Sequence, residues 1–468
     1  MHNESGSHSL PPPLPPAARP AFRLSFQSPL SRLLLIALLL AILMIPSCQI
    51  SGVISERSQR SAEAVAEVTS KWGGAQTLVA PVLRVPYQLR QTDIDRNGVR
   101  TEGLSEVEYA YFLPRTLNIT ARQQVQQRSR GIFQVPVFST HIKASGNFAV
   151  PSLSELKLLA SDAVLDLANA ELLIGLSDSR SLQAGASLSI DGKPFILRPA
   201  GTSINGLRAT IGDVITADKL WEGMRYDISL SVNGSDSLFF APMAEETHVT
   251  LEGNWPHPSF NGDWLPVKRD INEQGFSAEW SVSYLGRNIA QQWRDINPSI
   301  NNNEIQGKST QSFGVSLISP VDTYSMAERI TKYGLLTLVF TFGVIWLTEV
   351  LTGVRLHPIQ YGFIGAALCL FALLQLSFAE HFGFNAAFGV SAAAVVSMVT
   401  FYSRAALKRT GRALLVGGVL SGLYGYLYMI LQAEDYALMG GSLALFAALA
   451  AAMWLTRRID WTRSSDAS

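Results

Sequence analysis

Cysteine is almost absent from this chain. Cys48 and Cys369 are the two in 468 residues, and both lie in or beside apolar runs. They offer no disulfide framework, so any soluble part must be stabilised by its own core. An excess of charge of either sign is lacking as well. Lysine and arginine together number 37, aspartate and glutamate 37. That balance gives no case for nucleic acid as a partner. Patterns that carry chemistry are also missing. There is no Gly-x-Ser-x-Gly elbow, His-Glu-x-x-His pair or phosphate-binding glycine loop. His141, His248 and His257 are scattered, without zinc-ligand spacing. Asp93-Ile94-Asp95-Arg96-Asn97-Gly98 copies the start of a calcium loop, but Leu104 stands where the bidentate glutamate should be. A hairpin turn is the simpler reading. These gaps point to a non-enzymatic protein with no catalytic residue, metal site or cofactor.

Long apolar runs are what the chain has in quantity. Five of them fill its last third: Tyr333–Leu351, Pro358–Phe378, Ala386–Tyr402, Ala413–Leu431 and Tyr436–Leu455. At about 1.5 Å of rise per residue, each spans roughly 25–31 Å as a helix, close to the thickness of a hydrocarbon core. Apart from Glu349 they contain no Asp, Glu, Lys, Arg or His. Helices buried in a soluble protein would keep a polar face. A sixth run, Leu33–Ile54, follows Arg19, Arg23 and Arg32. It is long for a signal-peptide core and no small-x-small site closes it, so it reads as an uncleaved anchor. Cys48 could end a lipoprotein signal, but Pro46 fits that pattern poorly.

The charges between the runs give an orientation. Arg19, Arg23 and Arg32 precede the first run. Arg355 lies between the second and third, Arg404, Lys408, Arg409 and Arg412 between the fourth and fifth, and Arg457, Arg458 and Arg463 after the last. The alternate short connections, Ala379–Asn385 and Gln432–Asp435, have no Lys or Arg. By the positive-inside rule the basic segments are cytoplasmic, which expects six spans with both termini inside. Residues 1–32 then form a proline-rich cytoplasmic tail, 33–54 an anchor, 55–332 a periplasmic domain, 333–455 a five-span bundle and 456–468 a second cytoplasmic tail.

The periplasmic region opens with an expected helix, Glu56–Trp72, and turns to strand patterns after Gly73-Gly74. Val107, Tyr109, Tyr111 and Leu113 alternate with other residues. Tyr226, Ile228, Leu230 and Val232 do the same, as do Ala278, Trp280, Val282 and Tyr284. Turn signals occur at Asn97-Gly98, Asp191-Gly192, Asn233-Gly234 and Asn261-Gly262. Together they predict an antiparallel β-sandwich or two packed sheets, with short helices near Ser154–Asp166 and Ala217–Gly223. The fold class is therefore a six-span helical membrane bundle carrying a large β-rich domain.

Two polar groups stand at the ends of the spans. Glu349, Arg355, His357 and Gln360 lie on the expected inner side, Glu380, His381, Glu434 and Asp435 on the outer. A transport path would put ionisable groups near mid-span. At span ends, interfacial anchoring and helix capping are the plainer roles. Mid-span positions carry small residues instead, such as Gly418, Gly422, Gly440 and Gly441, which permit close helix contact.

Several blocks resemble the CreD family of bacterial inner-membrane proteins. They are Arg355-Leu-His-Pro-Ile-Gln-Tyr361, Ala379-Glu-His-Phe-Gly-Phe384, Leu431-Gln-Ala-Glu-Asp-Tyr-Ala-Leu438 and Thr456-Arg-Arg-Ile-Asp-Trp461, with Trp255-Pro-His-Pro-Ser-Phe260 and Pro320-Val-Asp-Thr-Tyr324 ahead of them. The likeness runs from about Leu33 to Trp461 and leaves out the proline-rich tail. It implies an inner-membrane protein tied to cell-envelope integrity or an envelope stress response, without implying any reaction. The expected partners are the lipid bilayer and an unidentified periplasmic or membrane protein. A transporter or flippase-like protein using the bundle is the alternative reading.

Overall fold

The structure is a computed structural model. It describes residues 29–94, 100–150, 152, 154–156, 162–200, 209–215, 223–287, 289–294, 311–317, 323–354, 356–432 and 437–457. The proline-rich tail, Asn97-Gly98 and the segment after Arg457 lie outside the described residues. The chain divides into two units: Met1–Ser55 with Thr323–Ser468, and Glu56–Asp322.

The first unit is helical. Its elements are α1 (Pro29–Trp72, which continues into the second unit), α2 (Thr323–Thr352), α3 (Pro358–Phe382), α4 (Phe384–Leu407), α5 (Thr410–Gln432) and α6 (Ala437–Thr456). The first five are long and apolar enough to cross a membrane, and α6 holds a shorter apolar stretch, Met439–Ala451. The Leu33–Ile54 anchor and the Glu56–Trp72 helix are thus one continuous element. α2 begins at Thr323, ahead of the apolar run that opens at Tyr333.

One apolar cluster joins Leu43 of α1 to Phe342 and Ile345 of α2, Ile364 and Phe371 of α3, Val395 of α4 and Leu420 and Tyr424 of α5. Gly365 lets α1 approach α3. A Cβ there would lie 2.2 Å from Leu43 Cδ1 and 2.9 Å from Phe342 Cζ. Small residues in spans serve this purpose, because lipid tails supply no hydrophobic force to press helices together.

The second unit is β-rich. Among the described residues it holds an eleven-stranded and an eight-stranded sheet. The longest strand of the larger sheet, Gln76–Ile94, pairs with Ala170–Leu176 on one side and with Ser237–Phe240 and Glu108–Phe112 on the other parts of its length. The smaller sheet centres on Pro114–Arg130 and Phe133–Phe148, flanked by Glu246–Gly253 and Arg225–Ser235. Leu83, Val85, Leu172 and Leu238 of the first sheet and Leu117, Ile142, Leu230 and Trp280 of the second share one core. Two packed sheets are what the alternation predicts.

Both sheets are mixed, however, where an antiparallel pattern was expected. Gln76–Leu78 runs parallel to Leu238–Phe240, and Thr116–Gln123 runs parallel to Glu246–Gly253. Parallel neighbours need a long crossover, and here further strands supply it.

Two local readings are corrected and a third is made specific. In Glu108–Phe112 the buried side chains are Ala110 and Phe112, whereas Tyr109 and Tyr111 take the other face. There Tyr111 stacks on Trp293 and Tyr109 lies under the Arg84 guanidinium. Asn233-Gly234 lies inside the strand Arg225–Ser235, not at a turn. Gly234 is needed because a Cβ would meet the Phe138 ring at 2.4 Å. Asn233 Oδ1 accepts from Ser139 Oγ and Gln183 Nε2. The helix expected near Ser154–Asp166 is replaced at its end by a strand, Ala163–Leu165, paired with Tyr87–Leu89. Most of Ala217–Gly223 lies outside the described residues.

Candidate functional site

The group expected on the inner side is built around Glu349, one turn from the end of α2. Its side chain is 4% exposed. A lone carboxylate in that position would be costly unless hydrogen bonds replaced its water. Three donors do so. Leu356 N–H donates to Oε1, Tyr361 O–H donates to Oε2 at 3.1 Å, and Arg32 Nη1 reaches Oε2 at 3.4 Å. Arg32 comes from α1 and Tyr361 from α3, so one carboxylate ties three helices together. The Tyr361 ring is held edge-on to Phe342, with centroids 5.3 Å apart.

The connection between α2 and α3 follows from its sequence. Gly353, at φ +68°, ends α2 with its N–H on the Glu349 carbonyl at 2.9 Å, a left-handed stop that favours glycine. His357 is the N-cap of α3: its Nδ1 accepts from Ile359 N–H at 3.4 Å. Gln360 Oε1 accepts from His357 N–H at 2.9 Å, completing a capping box, and Pro358 stands in the first turn. The block from Arg355 to Tyr361 is thus a helix start that also delivers two donors to Glu349. Arg355 lies outside the described residues.

The outer group is divided. Glu380 Oε1 accepts from Tyr324 O–H of α2 at 3.1 Å. His381 Nδ1 lies 3.1 Å from the Ser377 carbonyl, an arrangement in which Nδ1–H donates within α3. Glu434 and Asp435 lie outside the described residues. Nearby, Asn385 Oδ1 accepts from Tyr428 O–H and Gln432 Nε2, which ties the start of α4 to the end of α5. Both described span-end carboxylates therefore accept from a tyrosine on a neighbouring helix. In the sequence Arg32 stands only as a flanking charge, and Tyr324 and Tyr361 lie within the blocks that carry the family resemblance. The available signal was a lone acid in an apolar run with tyrosines near the facing helix ends.

In the β-rich unit, Tyr87, Tyr226 and Arg287 are titratable groups committed to the core. Burial, reinforced by the adjacent Glu108 carboxylate that accepts its O–H, pushes the Tyr87 phenol up to about 12. Burial also raises Tyr226, whose O–H donates to the Thr116 carbonyl at 2.8 Å. It lowers Arg287 to about 10, with Nη1 on the Pro242 carbonyl at 2.9 Å. No three His, Cys, Asp or Glu gather as metal ligands among the described residues.

The sequence pattern of the family described as inner membrane protein CreD matches residues 28–462. The chain belongs to that family. It is 29% identical over 419 residues to the inner membrane protein CreD of Escherichia coli strain K12, covering 90% of each chain. With its membrane-capable helices, the chain is an integral, multi-pass inner-membrane protein.

Proposed function

We propose that this protein contributes to cell-envelope integrity or to an envelope stress response as a non-enzymatic component. Both termini are cytoplasmic, the β-rich unit is periplasmic, and the protein acts through binding a periplasmic or membrane protein. The observation that carries this reading is the use made of the span-end polar residues. Glu349 and Glu380 accept from tyrosines on neighbouring helices, and His357 and Gln360 cap the start of α3. Such roles make a scaffold and leave these groups no evident task in a reaction.

The test is complementation of a deletion strain challenged with detergent and a β-lactam. Alanine replacements of exposed acids and histidines in the β-rich unit, each at parental protein level, should restore growth one by one. In-cell crosslinking from that unit should capture a discrete protein. A single replacement that abolishes rescue at full protein level would indicate chemistry instead. Loss of a measurable lipid or solute flux in the deletion strain would favour the transport reading.

A further inference from the structure

The bundle contains a cavity of about 20 Å³ whose lining includes Ser47 of α1, Gly334 and Thr337 of α2, Cys369 and Phe371 of α3 and Tyr424 of α5. Tyr424 is 2% exposed, and its hydroxyl has no hydrogen-bond partner among the described residues. Its ring is held by Phe371, with centroids 4.3 Å apart, and by Phe388 at 6.4 Å, so it is not free to swing away. One turn from Phe371, the fully buried Gln375 also has no described partner for either side-chain polar atom. In hydrocarbon a hydroxyl finds nothing outside the protein to pair with, so burying it unpaired is strongly unfavourable.

The cavity wall supplies complementary groups. Thr337 Oγ1 makes only a long 3.5 Å bond to the Tyr333 carbonyl, which leaves its lone pairs free. Cys369 Sγ lies 3.9 Å from the Leu43 carbonyl. The volume is that of one water molecule and too small for a lipid headgroup or solute. We infer that this cavity is an ordered water site inside the membrane bundle, with Tyr424 as its donor and Thr337 as a second partner. The water joins α2 and α5, so this section of the bundle is polar and hydrated inside.

The experiment is radiolytic footprinting of the full-length protein in phosphatidylethanolamine–phosphatidylglycerol nanodiscs. X-ray pulses make hydroxyl radicals from bound water, and mass spectrometry reads which neighbouring side chains they modify. Tyr424 and Phe371 should be modified at least tenfold faster than Phe342, which is fully buried in the same bundle. Gly334→Leu should lower the Tyr424 rate at least fivefold, because a Cβ at Gly334 meets nothing within 4 Å and the longer side chain can enter the cavity. Thr337→Val should lower it less, while Phe342 is unchanged in both. Equal rates for Tyr424, Phe371 and Phe342 in the parent protein would overturn the assignment, whatever the variants do.

Discussion

At the scale of single residues, the carboxylate of Glu349 shows how an acid is kept inside a membrane bundle. Removing it leaves Arg32, Tyr361 and the Leu356 N–H without their acceptor, whereas glutamine keeps one neutral acceptor in place. Breaking a buried pair from one side commonly costs about 3–5 kcal/mol, and a neutral hydrogen bond about 1 kcal/mol. Glu349→Ala should therefore lower the apparent melting temperature in detergent clearly more than Glu349→Gln. Equal losses for both would mean that the three donors find other partners. A second residue-scale prediction concerns Tyr87. Its phenol titrates near 12 in the folded protein and near 10 when unfolded. Between those values the folded chain holds a proton that the unfolded chain has released. The stabilisation is thus complete below pH 10 and is lost as pH rises toward 12. Arg287, lowered to about 10, works in the opposite sense over the same range. The informative quantity is the difference between the parent and Tyr87→Phe in denaturation midpoint, which should shrink from pH 10 to 12. A difference constant with pH would remove the Tyr87 contribution.

At the scale of elements, the periodicity of the sequence was a good guide wherever one face of an element alone is buried. Tyr226, Ile228, Leu230 and Val232 alternate and all point into the core. In Glu108–Phe112 both faces are covered: Ala110 and Phe112 enter the main core, while Tyr111 packs with the buried Leu113 in a second apolar cluster. Asn233-Gly234 failed as a turn signal: its glycine is demanded by the Phe138 ring lying over it. Nothing local reveals a cross-strand ring. The helix ends were more legible, since His357, Pro358 and Gln360 spell a capping box in sequence. Their link to Glu349 was hidden because it depends on how α2 and α3 pack. Packing of α1 offers a test at this scale. Gly365→Val should push Leu43 and Phe342 aside and cost about 1–3 kcal/mol, the usual effect of overpacking. Adding Leu43→Ala should recover a good part of the loss, because Leu43 Cδ1 is the nearest atom to the new side chain. If the double variant melts no higher than Gly365→Val alone, α1 is not seated on α3 at that point.

At the scale of the whole molecule, α1 and α2 bracket the β-rich unit in the chain, so the side of the membrane it occupies depends on the orientation of those two spans. The proposed orientation rests on the charges of the connections. Arg404, Lys408, Arg409 and Arg412 gather around the α4–α5 turn, and Arg457, Arg458 and Arg463 follow α6, whereas Ala379–Asn385 and Gln432–Asp435 carry acids and no Lys or Arg. Positive segments resist translocation, so in the proposed orientation the basic turns stay cytoplasmic and the acidic ones cross. The same proposal puts Arg32 inside, at the start of α1 where it meets Glu349. The ion pair requires the start of α1 and the end of α2 to share one side of the membrane, as they do in that orientation. Reporter fusions after Arg409 and Arg463 should read cytoplasmic, and fusions at Gln306 and Asp435 should read periplasmic. Replacing Arg404, Lys408, Arg409 and Arg412 together with glutamine should weaken the signal after Arg409 without moving the one at Gln306, because the earlier spans are set by Arg19, Arg23 and Arg32. A cytoplasmic reading at Gln306 in the parent protein would reverse the orientation and place the β-rich unit inside the cell.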